Sequence, residues 1–322
     1  MCKGVKGRYI VENTNAWIKD YRRVNNRYEQ KALNYEQIIF FSIIILFSIF
    51  KLLRRKISSD LGCSIVTYIG CYFRSEKRIL TNLRKAFPKI NFENEKKITK
   101  EMWCNFGRTF SEYMCLKDFR KNSNNHIQVN GEEILNIIKL TKKPTVFVSG
   151  HFANFELMAM ELDRRNLNIA AIYRPLNNIF LNPLMEYLRK KYICKNQIPK
   201  KLPGKNKSGT RELFKAIHKK TNIAVMVDQS ITQGMKINFF DELAYTTLIP
   251  SQLVLKYDYQ IVPISIRRVY KYNFIMDILP PLIIDKKNDN ELIIGEKINK
   301  QIEKMILKNP GQWIWTHNRW KI

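Results

Sequence analysis

Acidic residues are scarce in this sequence of 322 residues: 28 Asp and Glu stand against 56 Lys and Arg, a formal charge of +28. Such an excess needs an acidic counterpart, and nucleic acid, an anionic membrane face, a phosphorylated substrate or an acidic carrier protein would each serve. Lys, Asn and Ile abound along the whole chain, so part of the excess is compositional drift. Cysteine is thin as well. The six, at 2, 63, 71, 104, 115 and 194, form no C-x-x-C pair and have no histidine at zinc-finger spacing. Neither a metal cage nor a disulfide framework is indicated, and a reducing, cytosol-facing catalytic part is expected. No Gly-rich or Pro-rich tract and no internal repeat occurs, which excludes linker-rich and solenoid architectures. With 45% hydrophobic residues the chain is globular, long enough for one sizeable core and a small appendage.

An uncharged run of membrane-spanning length is also missing. The segment at residues 38–50 ("IIFFSIIILFSIF") carries no charge and is followed at once by "KLLRRK". Sixteen residues, counting to Leu53, give about 24 Å of helix, short of the ~30 Å hydrocarbon core. The length makes spanning marginal, and no small-residue cleavage site follows to mark a signal peptide. The basic cluster points to an anchor against anionic headgroups, with residues 61–73 lying beside it in the interface. A buried core helix is the competing reading.

What is present falls into two periods. Residues 75–87 start with Ser75 and Glu76, and residues 94–116 carry Ile98, Met102, Phe106, Phe110 and Met114 at spacings of four, which predicts a helical front. After a polar break at 117–126 come short β-branched runs, "TVFVS", "LNIAAIY", "NIAVMV" and "QIVPISI", separated by helix-length segments. One of these, "RELFKAIHKK", should bury Leu213, Phe214 and Ile217 and turn Lys215 and Lys219 outward. The fold class predicted is α/β, with a largely parallel central sheet flanked by helices and an N-terminal helical membrane-anchoring region. The organisation expected is a basic arm at 1–37, an anchor and interfacial segment at 38–74, and a catalytic domain at 75–322.

In parallel sheets ligands collect at the carboxyl ends of strands. The stretch "TVFVSGHFANFELMAM" places His151 at such an end, after Gly150 and before a helix. Within one helix His151 and Glu156, five apart, would diverge by about 140°. They meet only if His151 precedes the helix and turns back over its first turn, where Glu156 could accept from a ring nitrogen and fix the tautomer. A neutral, oriented imidazole there can take a proton from a hydroxyl, and helix N–H groups could stabilise an oxyanion, chemistry that suits acyl transfer to an alcohol. The spacing by itself is weak evidence, since a histidine capping a turn has the same pattern.

Together "GHFANFE", "YRPLNN", "GTRELFKAI", "MVDQ" and "WIWTHNRWK", in that order and preceded by "NLRKAFP" and "FGRTFSEY", resemble the lipid A biosynthesis late acyltransferases over about three quarters of the chain. The resemblance implies a membrane-associated enzyme on the cytoplasmic face of the bacterial inner membrane. Such an enzyme moves an acyl chain from acyl carrier protein to a hydroxyl of an acyl chain already on a phosphorylated glycolipid, without metal or cofactor. It implies His151 as base with Glu156 as partner, and Asn154, Arg174, Arg211, Asp228 and Gln229 as substrate-binding residues. Arg174 would meet a phosphate or the oxyanion, and Arg211 a phosphate. Asp228 and Gln229, at another strand end, would orient Arg174 or the histidine. The basic interval 189–220 suits the headgroup or the carrier protein. Trp313, Trp315, Trp320 and His317 read as packing residues. Phe155 stands where the family commonly has tryptophan, an apolar exchange expected to leave proton transfer untouched.

Two alternatives stay open on the residues alone. One is a lysophospholipid or glycerophosphate acyltransferase of the same fold. The other is a basic, membrane-tethered nucleic-acid-binding protein, although no zinc spacing, aromatic RNA-binding signature or helix-turn-helix supports specific nucleic-acid recognition.

Overall fold

A computed structural model describes residues 30–200, 208–231 and 234–320. Most of the basic arm expected at 1–37 therefore lies outside the described residues.

The front is helical. Helix α1, Gln30–Leu52, runs into α2, Arg55–Phe73, then α3, Glu76–Ala86, and α4, Phe92–Glu112. Ser75 caps α3 by accepting from the Arg78 amide, and Asn91 caps α4 by accepting from Asn94, so α4 starts slightly earlier than its apolar period suggested. The candidate anchor helix is also longer than its uncharged run. The polar turn before Ile38 continues the helix to 23 residues, and its inner face packs on the domain instead of standing free.

Helices α2 and α4 cross where each has a glycine. A Cβ on Gly107 would lie 2.1 Å from the Gly62 carbonyl oxygen, so no larger residue fits the seam. That closeness brings Cys63 and Cys104 together in a disulfide, with Cα atoms 4.0 Å apart. This corrects the expectation of no disulfide: the two cysteines are 41 residues apart, and only the helix crossing makes them neighbours.

After the short α5, Leu116–Lys121, the chain alternates strand and helix: β1 Ile127–Asn130, α6 Glu132–Thr141, β2 Thr145–Ser149, α7 Glu156–Arg164, β3 Ile169–Tyr173, α8 Leu181–Tyr192, β4 Asn196–Pro199, α9 Ser208–His218 and β5 Asn222–Met226. An antiparallel hairpin, β6 Met235–Phe239 with β7 Glu242–Thr246, and α10, Ile249–Tyr257, precede β8 Gln260–Tyr270, β9 Asn273–Ile278 and α11 Glu291–Lys308. The sheet order is β1-β9-β8-β2-β5-β3-β4. Strands β8 to β4 run parallel, whereas β9 turns back on β8 and carries β1 with it. The four strands expected from β-branched runs are β2, β3, β5 and β8. Strand β2 is buried throughout, as a central strand covered on both faces must be.

In α9 the expected buried face is partly wrong. Ala216 and Ile217 are buried, but Phe214 is 47% exposed because the helix rests on the sheet edge near β4.

Candidate active site

Four neighbouring strands, β2, β5, β3 and β4, end at the same edge, and the residues just past their carboxyl ends are His151, Asp228, Arg174 and Lys200. The parallel register sets this row, since Ser149 pairs with Met226 and Tyr173 with Pro199.

His151 and Asp228 make the central contact. The Asp228 carboxylate accepts from His151 Nδ1 at 2.8 Å and from the His151 backbone amide at 2.9 Å. Trp313 Nε1 donates to the same carboxylate at 2.7 Å. Burial alone would raise the Asp228 pKa, but the imidazole beside it and the bonds from His151 and Trp313 hold it below the usual carboxylate range. An ionised Asp228 keeps the proton on Nδ1 and leaves Nε2 as the ring's acceptor, 3.4 Å from Gln229 Nε2. The imidazole retains 18% exposure, and the edge of the Phe155 ring packs against it with centroids 4.6 Å apart. Phe155 thus touches the histidine, a contact its apolar character did not announce. Gly150 is needed for close approach, because a Cβ there would sit 2.7 Å from the Phe152 ring and 3.2 Å from Asp228.

The loop between β2 and α7 is clasped from outside. Ala153 has a left-handed backbone, φ 44°, rare for a residue with a Cβ. It is held by its amide bond to the Gln312 carbonyl, 2.9 Å, and by Thr109, which donates to its carbonyl at 2.9 Å. Phe152 bridges to Trp313.

The hydrogen bond expected between His151 and Glu156 is not among those of the described residues. Glu156 opens α7, and its Oε1 accepts from Tyr113 Oη, from Arg189 Nε at 2.9 Å and from Arg189 Nη2 at 2.7 Å. Burial and Glu156 push the Tyr113 pKa far up, so the phenol remains a donor. Arg189, whose pKa burial would lower, is instead raised by Tyr113 and Glu156. The arginine expected in a basic headgroup surface is therefore consumed in a buried ion pair. The physical reason is that His151 precedes the helix and faces the end of β5, whereas Glu156 looks toward α8 and Tyr113, the residue just past α4.

Asn154, expected to bind substrate, is 1% exposed and donates to Glu112 Oε2 at 2.9 Å. Glu112 also pairs with Arg268, so Asn154 ties the loop to α4. Arg211 lies exposed on α9. The expected helix amides are largely occupied: His151 donates to Asp228, Phe152 to Gly150, Ala153 to Gln312, Leu157 to Asn154 and Met158 to Phe155.

The sequence pattern marks several neighbours only as packing residues or diffuse charge. Trp313 is 1% exposed, yet its indole N–H reaches the Asp228 carboxylate. Burial lowers the His317 pKa to about 4, with further lowering by His151, Arg319 and Arg174, and its Nδ1 has no partner among the described residues. Burial also lowers Lys200, against the pull of Asp228, with Arg174 adding to the lowering. Both sit in the "WIWTHNRWK" ending or the basic interval, but only folding places them at this edge. Among the described residues no group of His, Cys, Asp and Glu could hold a metal ion.

Residues 26–322 match the family described as bacterial lipid A biosynthesis acyltransferase. The chain belongs to that family. The acyltransferase has no match in a search of curated proteins. The matched span takes in the candidate site, the hairpin and all of α1 to α4, so the family covers the front as well as the sheet. It is an acyltransferase acting in lipid A biosynthesis.

Proposed function

We propose that this acyltransferase uses His151 as a general base to move a fatty acyl chain from acyl carrier protein to a hydroxyl of an acyl chain on a phosphorylated lipid A precursor. The observation that carries the reading is the bond between His151 Nδ1 and the buried Asp228 carboxylate, which leaves Nε2 to receive a proton. In the step, Nε2 takes the proton of the acceptor hydroxyl and the oxygen attacks the thioester carbonyl. The carbon–sulfur bond breaks, and the imidazolium returns its proton to the departing thiolate, so the base is regenerated.

Because most loop amides are already bonded, the oxyanion and the acceptor's phosphate fall to side chains at the same edge. Arg174 and Lys200 supply positive charge and Gln229 an amide. Glu156 acts at one remove, fixing the start of α7 through Arg189 and Tyr113. Asn154 does the same through Glu112. The exposed stripe of α1 and the basic turn after it support a place at the bacterial inner membrane, with the catalytic part facing the cytoplasm.

Mass spectrometry of lipid A from cells with and without the gene tests the function. Loss of one secondary acyl group is expected, restored by the wild type and not by His151→Ala. Unchanged lipid A, or acylation of lysophospholipid alone by purified membranes supplied with acyl carrier protein donors, would overturn it.

A further inference from the structure

We infer that α1 lies in the plane of one membrane leaflet, its outer stripe among the acyl chains, and does not cross the bilayer. The helix is long enough to cross: 23 residues at 1.5 Å give about 34 Å. Its contacts forbid it. Nearly two turns in, the Glu36 carboxylate accepts from the Ile179 amide at 3.2 Å, the Glu36 carbonyl accepts from Asn178 Nδ2 at 2.9 Å, and Phe40 packs on Phe180. Toward its end Phe47 and Phe50, 3% and 1% exposed, pack on Phe110 of α4. The domain therefore accompanies the helix from Glu36 to Phe50, about 21 Å of its axis. A crossing helix would drag the loop after β3, with exposed Arg174 and Asn177, into hydrocarbon, where irregular backbone and charge are not tolerated at a lipid-facing surface.

The outer face fits lipid. Ile38, Phe41, Ile45, Ile49 and Leu52 are 40–86% exposed and recur every three or four residues, as one helical stripe must. The hydroxyls that interrupt this face need no water: Ser42 donates to the Ile38 carbonyl and Ser48 to that of Ile44, both at 2.8 Å. Helix α2 continues the surface with exposed Ile57, Tyr68 and Tyr72. At the turn between the helices Lys51, Arg54 and Lys56 are exposed, the complement of anionic headgroups.

Full-length chain carrying an epitope tag at each end, in sealed inverted inner-membrane vesicles treated with an impermeant protease, tests the orientation. Digestion of both tags is expected. Protection of the N-terminal tag while the C-terminal tag is lost would overturn the inference. Flotation of the purified chain with phosphatidylethanolamine and phosphatidylglycerol vesicles tests the stripe. Phe41→Glu with Ile45→Glu should cut the bound fraction at least about 10-fold while thermal unfolding of the domain is kept. Unchanged flotation of that variant, or a dimer whose loss is its only defect, would overturn it.

Discussion

Two buried carboxylates flank the candidate base, and they do opposite things. Asp228, 77 residues along the chain from His151, holds its imidazole and its backbone. Glu156, five residues away, has its Oε1 taken by Arg189 and Tyr113. Nearness in sequence across a strand-to-helix junction is a poor guide to nearness in space, because the chain reverses there. Adjacent parallel strands bring their ends together whatever their separation, so the partner of a strand-end residue is best sought at the next strand end.

The largest expected effect tests that contrast directly. Asp228→Asn should lower kcat by about 10³-fold, like His151→Ala, because the tautomer is no longer fixed. If Asp228→Asn retained full activity and Glu156→Gln abolished it in a fully folded protein, the assignment of partners would be reversed. Glu156→Gln should instead cost about 3–5 kcal/mol of stability, since Arg189 is left buried and uncompensated. Glu156→Leu with Arg189→Met should recover most of that loss, as a urea midpoint would show.

A smaller effect lies on the Asp228 side. The folded protein holds the His317 pKa at about 4, lowered from its ordinary 6.5. As the pH falls below about 6.5 the unfolded chain gains a proton that the fold refuses until about pH 4, so stability drops through that window. His317→Asn should flatten the drop by about 2 kcal/mol in denaturant titrations at pH 7 and 4.5. Asp228, held low, contributes in the other range: its share persists above about pH 4 and fades below it. Tyr113→Phe, which removes one donor to Glu156, should cost only about 1–2 kcal/mol and leave kcat unchanged.

Much of the architecture was legible in the sequence. The four β-branched runs are strands β2, β3, β5 and β8, the polar break precedes β1, and Ser75 caps its helix. Strands β1, β4, β6, β7 and β9 are not among the β-branched runs; β1 and β4 are the edges of the sheet, and an edge strand such as "NQIP" carries little apolar pattern. At the site, His151, Asp228, Arg174 and Gln229 could be named from strand-end position and motif together. The Trp313 bond and the Glu156–Arg189 pair could not. Both join segments that no periodicity relates, and a buried arginine looks, in one dimension, like any other charge in a basic run. The Cys63–Cys104 pairing was hidden for the same reason, since it depends on where two helices cross.

The clasp on the histidine loop bears on protein engineering. Residues 152–153 are stitched to 312–313 backbone to backbone. Chimeras between homologues, made to exchange donor preference, cannot be spliced anywhere between these stitches without pairing one parent's loop to the other parent's fastener. Crossovers placed before the loop or after the fastener keep both from a single parent, and those recombinants are the ones to build.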